Sequence, residues 1–207
     1  MAEKKKFHSV EIPLLKREIE LFGFSESEFE GRFVKIDLSP ELKGKGIELK
    51  MKVVMKDGKP VTETKEAYLL GSFIRRMMRK GTDYVEDSFI VKSQDELLRI
   101  KPFLITRKKV SRKVRASLRN ATRKELTDYA AGRKFEEIVM DMINNRIQKE
   151  LSLKLKKIYP LALCEIRHVL ITNRKEYDRQ LEIEKTTVER EEKRSQRVKK
   201  EKEGEKK

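Results

Sequence analysis

Cysteine is almost absent from this chain. Cys164 stands alone, which excludes an internal disulfide and any metal site built on a cysteine cluster. Its apolar neighbours Leu163 and Ile166 point to a buried, reduced thiol. Tryptophan is missing, and nine phenylalanines with five tyrosines are the whole aromatic complement. A sheet that reads RNA by stacking bases on aromatic rows is therefore not expected. Histidine occurs only at His8 and His168, too far apart in sequence to suggest a catalytic pair. No apolar run approaches the roughly 18 residues of a membrane span, and the N-terminal residues hold no apolar h-region, so neither a bilayer helix nor a secretory signal is expected. No GxxxxGK[ST], GxSxG, HExxH or CxxC motif occurs, and Gly44-Lys45-Gly46 is too short for a phosphate loop. Asp83, Glu86, Asp87 and Asp95 can be read as the carboxylates of a Mg²⁺-dependent nuclease. Ordinary loop acids beside basic residues are the better reading of them. The expectation is a cytosolic protein with no enzymatic activity, no cofactor and no metal.

What the chain has instead is positive charge. Net charge is +16, the isoelectric point is about 9.8, and 42% of residues are charged, against roughly 25% in an ordinary soluble domain. The basic residues are not spread evenly. From Leu97 to Lys124, 28 residues include 11 Lys or Arg and no Asp or Glu. The stretch begins strand-like from Leu97 to Thr106, and its Arg107–Arg115 portion reads as the start of a helix. Val110, Val114, Leu118, Ala121, Leu126 and Tyr129 recur at helical steps as one apolar stripe. Arg112, Lys113, Arg115, Arg119, Arg123 and Lys124 fall on the remaining arc. Solvated helix faces ordinarily mix signs; an unmixed cationic face calls for a polyanion, and nucleic acid is the commonest in a cell.

The rest of the chain reads as an α+β protein. Lys4, Lys5 and Lys6 form a basic arm that reads equally as a segment running along RNA or as a disordered solubilising terminus, and a short amphipathic helix is expected after Pro13 through Leu14, Leu15, Ile19 and Phe22. These make up an N-terminal segment over residues 1–30. Period-two alternation follows at Val34, Ile36 and Leu38, and again from Ile47 to Met55. Asp57-Gly58 signals a hairpin into a return strand from Val61 to Leu70. Ser72 opens a short helix that should carry Phe73, Ile74, Met77 and Met78 inward and end at Gly81. Its other face shows Arg75, Arg76, Arg79 and Lys80, a second basic patch. One strand is expected from Tyr84 to Lys92, then the strand before the basic helix, with Pro102 marking either an edge or a bulge. Gly132 ends the basic helix. A second long helix is expected from Lys134 to Ile158, stopped by Pro160. A last strand from Leu163 to Ile171 should put Cys164, Ile166, His168 and Leu170 on one face and Arg167 on the other. Strands, then helices, then a returning strand give an α+β order. The core is expected over 31–172. Residues 173–207 carry thirteen basic and ten acidic residues and too few apolar ones to fold alone, so a charged tail, disordered or a single helix, is expected.

Four stretches together resemble a known family. They are Lys6-Phe7-His8-Ser9-Val10 through Pro13; Gly31-Arg32 before a strand ending Asp37-Leu38; Asp95 through Leu98-Arg99-Ile100-Lys101-Pro102 into Arg107–Arg115; and Lys156-Lys157-Ile158-Tyr159-Pro160-Leu161 followed by Glu165-Ile166-Arg167. In that order and spacing, over about residues 4–172, the sequence is similar to the archaeal and eukaryotic S-three-A-e family of small-subunit ribosomal proteins, the e-type S-one proteins. Phe7 stands where the family usually has tryptophan, the basic arm is short, and nothing from Asn173 onward matches. The resemblance implies a barrel-like antiparallel core flanked by two long helices. It also implies a structural role on the platform of the small subunit, near the mRNA exit. The implied partners are small-subunit rRNA and neighbouring ribosomal proteins, with mRNA near the exit as a further candidate and no membrane. It carries rRNA contact onto Arg107, Lys108, Lys109, Arg112, Lys113 and Arg115, with Arg99, Lys101 and Arg167 as further candidates. Arg119 and Arg123 come from the helical wheel alone. A non-ribosomal RNA chaperone or translation regulator is the alternative that the basic surface alone leaves open.

Overall fold

The computed structural model describes residues 4–42, 44–180 and 182. Two compact units are present, Met1–Ile171 and Thr172–Lys207. In the second, residues 174–180 are helical; the expectation for the rest of the tail lies outside the described residues. The first unit runs β1 (Lys6–Ile12), β2 (Arg17–Gly23), a 3-10 turn (Glu26–Phe29), β3 (Phe33–Asp37), β4 (Ile47–Lys56), β5 (Lys59–Leu69), α1 (Gly71–Met77), β6 (Tyr84–Glu86), β7 (Phe89–Lys92), β8 (Leu97–Thr106), α2 (Arg112–Ala131), α3 (Phe135–Ile143), α4 (Arg146–Leu155) and β9 (Leu161–Ile171). The α+β order read from the sequence is the one observed.

Alternation explains the central strands. Ile47, Leu49, Met51 and Val53 of β4 are completely buried, each worth about 1.5–3 kcal/mol over its exposed state. Asp57 and Gly58 link β4 to β5, both with positive φ, 52° and 76°. That geometry matches a two-residue turn whose twist suits the paired strands. β5 then shifts register between the Lys50 and Met51 pairings. The bulge changes which of its residues face inward, from Thr62 and Thr64 to Ala67 and Leu69.

The sheet follows the order β2-β1-β5-β9-β8-β6, with β3 and β4 continuing from β5 and β7 beside β8. Among the described residues it is antiparallel apart from the single parallel pairing of Glu11 with Val61. It does not close on itself among the described residues, so the barrel-like core is an open sheet. Helices α2 and α4 pack on β6, β7 and β9. Their buried side chains, among them Leu118, Leu126, Ile147, Leu151 and Leu155, join the strand residues Leu98, Ile100, Phe103 and Ile166 in one core. A smaller core of Val10, Phe29 and Val53 lies under the β1–β2 hairpin.

Several local expectations are corrected. Residues 14–22 form the turn and second strand of a hairpin, because Ile19 pairs with Val10 and Phe22 with Phe7. The helical spacing of Leu14, Leu15, Ile19 and Phe22 is coincidental, and Lys16 takes the positive φ of 54° that the turn requires. The expected helix from Lys134 to Ile158 is two helices, so α2, with 20 residues, is the one long helix of the layer. The break falls at Asn145, whose φ is 60°. The strand expected from Tyr84 to Lys92 is two short ones. Pro102 is not at an edge: β8 pairs with β9 on one side and with β6 and β7 on the other, and a bulge falls between Lys101 and Pro102. The extra residue on β9 is Arg167, and it flips the strand. Ile166 and Val169 are therefore the fully buried residues there, while His168 and Leu170 are only partly buried. Met77 and Met78 are 36% and 45% exposed, because α1 stops at Met77 with Met78 as its cap and only Phe73 and Ile74 point inward.

Gly23 ends β2 against Phe29. A Cβ on Gly23 would lie 2.6 Å from the Phe29 ring carbon Cζ, and that ring is completely buried. Gly23→Ala is expected to lower stability by about 1–3 kcal/mol through overpacking, read as a lower denaturant midpoint with unchanged m-value.

Candidate nucleic-acid interface

The strongest concentration of charge lies where β8 hands over to α2. The sequence suggested helix from Arg107; the helix begins at Arg112 instead, and residues 107–111 form a loop. Ser111 caps α2 by accepting from the Val114 N–H at 3.4 Å. Thr106 and Asp83 hold the loop. The Thr106 hydroxyl accepts from the Asp83 N–H at 3.1 Å and lies 2.9 Å and 2.7 Å from the carbonyl oxygens of Asp83 and Lys108. The Asp83 carboxylate accepts from the Val110 N–H at 2.9 Å. With these backbone groups satisfied internally, Arg107, Lys108, Lys109, Arg112 and Lys113 are left exposed, and Arg115 half-buried. None of the six forms an ion pair with any carboxylate among the described residues. Asp83 also ties this loop to the segment after α1 that carries Arg79 and Lys80, both exposed. Arg75 is exposed too, whereas Arg76 donates to the Gly44 carbonyl at 2.9 Å.

Arg119 and Arg123 point elsewhere. Arg119 donates to the Glu86 carbonyl at 3.3 Å. Arg123 pairs with Asp87 at 3.2 Å and lies over the Phe89 ring. The helical wheel puts them on a solvent arc, and Arg119 is exposed and Arg123 half-buried, but each also reaches the link between β6 and β7. They staple helix to sheet.

Arg99, Lys101 and Arg167 meet on the sheet, where with Glu86, Asp87, Ser88 and Pro102 they line an open cleft of about 370 Å³. Arg167 pairs with Glu86 at 3.3 Å. Beside it Lys50, Glu66, Tyr68 and His168 line a second hollow. Burial opposes ionisation of Glu66, but Lys50 at 3.0 Å and His168 at 3.3 Å hold its carboxyl below the ordinary value. Burial, with Lys101 near, pushes the His168 imidazole down against the pull of Glu66. Burial, then Glu48, pushes the Tyr68 phenol up to about 12. This surface mixes signs, unlike the loop. Lys4, Lys5 and Lys6 are exposed at the start of β1, away in sequence from the others, and Lys5 sits over the Phe24 ring at 5.1 Å.

The four carboxylates weighed for a nuclease are all engaged as struts: Asp83 on the loop, Glu86 on Arg167, Asp87 on Arg123. Asp95 accepts from the Phe135 N–H at 3.1 Å, capping α3. No group of three or more His, Cys, Asp or Glu that could hold a metal occurs among the described residues. Burial pushes the Cys164 thiol up to about 12, so it is inert.

The family model of the ribosomal S3Ae family matches residues 4–175. The chain belongs to the ribosomal S3Ae family. Among its relatives, the small ribosomal subunit protein eS1 of Nanoarchaeum equitans is 28% identical over 186 residues, 84% of this chain and 92% of that one. The protein of the same name from Methanothermobacter thermautotrophicus is 32% identical over 95 residues, 45% of this chain and 49% of its own. That of Pyrobaculum islandicum is 25% identical over 155 residues, 74% and 70% of the two chains. As an S3Ae protein the chain is a structural, non-enzymatic component of the small ribosomal subunit, acting in translation in the cytoplasm.

The S3Ae match also covers residues that the basic pattern did not single out. Lys45 and Glu165, each about 10% exposed in its side chain, form an ion pair of 2.8 Å. Lys45 also donates to the Asn145 side chain. Gln148 Nε2 donates to Glu165 at 3.2 Å and to the Met142 carbonyl at 2.9 Å. No local pattern announces this network. It explains the break between α3 and α4, since Asn tolerates the left-handed conformation and its side chain meets Lys45.

Proposed function

We propose that this S3Ae protein anchors small-subunit rRNA through phosphate contacts from Arg107, Lys108, Lys109, Arg112, Lys113 and Arg115, on the platform near the mRNA exit. The observation that carries the reading is the clamped segment: six cations, none of them ion-paired among the described residues, on and beside a loop whose backbone is fixed by Thr106 and Asp83. Desolvating such a set is unfavourable unless phosphates replace the water, and releasing their counterions drives association. Arg75, Arg79 and Lys80, joined to the loop through Asp83, extend the surface. Arg99, Lys101 and Arg167 form a secondary contact, because Glu86 and Asp87 neutralise part of their charge. Lys4, Lys5 and Lys6 reach a separate stretch of RNA, and Arg119 and Arg123 serve the fold. Such contacts position a protein on RNA shape and do not read bases. Neighbouring ribosomal proteins complete the setting, and mRNA at the exit is a further contact.

A tagged copy sedimented from cell extract should travel with the small subunit at low salt and remain with it at high monovalent salt. Release to the top of the gradient at modest salt would favour a free RNA chaperone or translation regulator.

A further inference from the structure

We propose that the outer face and free edge of the β1–β2 hairpin dock an extended, Lys/Arg-rich polypeptide segment as an added strand. Among the described residues strand β2 pairs only with β1, so its other edge offers backbone donors and acceptors to an incoming strand. The outer face is acidic. In a chain of net charge +16, residues 7–30 hold six glutamates against two basic residues. Glu11, Glu18 and Glu20 are exposed on this face, and no cation among the described residues pairs with them. Next to them Phe7 and Phe22 form a cross-strand pair with ring centroids 5.0 Å apart, and they are 69% and 52% exposed.

Rings beside carboxylates that lack a cation partner among the described residues, with Glu18 accepting only from the Ser9 hydroxyl, suit a basic side chain, which can stack on the ring and pair with the acid. The chain shows that chemistry nearby, where Lys5 lies over Phe24. Nucleic acid is repelled by the glutamates, and a second copy of the hairpin would set acid against acid.

The test is equilibrium binding of a fluorescent peptide of alternating lysine and valine to the full-length protein at low ionic strength, with an alternating glutamate–valine peptide as control. The basic peptide should bind and the acidic one should not. Replacing both Glu18→Lys and Glu20→Lys should weaken binding roughly tenfold, since each attraction becomes a repulsion of similar size. Phe22→Ser should weaken it too, and N-methylation of alternate peptide amides should weaken it by removing strand hydrogen bonds. Equal affinity for both peptides, or for the charge-reversed protein, would overturn the proposal. So would ultraviolet crosslinking of an RNA oligonucleotide to Phe22, or self-association that Phe22→Ser abolishes. None of these readings depends on rRNA binding, since the protein is used alone.

Discussion

Replacing Arg112, Lys113 and Arg115 together by glutamine should weaken rRNA binding about a hundredfold at roughly 0.1 M salt. Each phosphate contact contributes about 0.7–0.9 to the slope of log K against log salt, so three lost contacts lower the slope by about 2–3. Between roughly 1 M and 0.1 M salt, that slope corresponds to about two log units of affinity. The fold should survive, because Arg112 and Lys113 are exposed and none of the three forms an ion pair among the described residues. Filter binding to small-subunit rRNA across a salt series reads both quantities. An unchanged slope would mean that the start of α2 faces protein or solvent. Gln in place of Arg119 and Arg123 should do the opposite. Losing their contacts with the Glu86 carbonyl and the Asp87 carboxylate loosens α2 from the sheet, while the salt slope stays nearly constant.

The second large effect is on stability. Glu165→Ala leaves the Lys45 ammonium buried with Asn145 as its neutral partner. Breaking one side of a buried ion pair costs about 3–5 kcal/mol, a large part of the stability of an ordinary domain. The double variant Lys45→Met with Glu165→Leu should recover most of the loss, because no uncompensated charge remains. Denaturant unfolding of both variants checks this. A double variant no better than Glu165→Ala would show that the network acts through something other than charge, such as the Gln148 hydrogen bonds.

The contrast between these residues shows what the sequence makes legible. The basic run declares itself, since eleven cations without an acid need no fold to be seen. The β4–β5 hairpin is equally plain, because period-two alternation and Asp57-Gly58 agree. The β1–β2 hairpin hides behind the helical spacing of Leu14, Leu15, Ile19 and Phe22, and its turn depends on Lys16 in a conformation that lysine seldom adopts. Bulges defeat face assignment on β5 and β9: one extra residue, Arg167, turns His168 and Leu170 away from the side of Cys164 and Ile166. The α3–α4 break is settled by Lys45, 100 residues earlier than the Asn145 side chain it meets, so no local window reveals it. The same holds for the interface. The cationic run is readable up to Arg115, but the contacts that Arg119 and Arg123 make depend on where the β6–β7 link lies.

On the proposed reading, the loop and first turn of α2 face rRNA phosphates. Lysine acylation of the free protein and of intact small subunits, read residue by residue, tests it most directly. Lys108, Lys109 and Lys113, all exposed, should react readily in the free protein and be strongly protected in the subunit. Equal reactivity of all three in both states would mean that this surface faces solvent in the subunit.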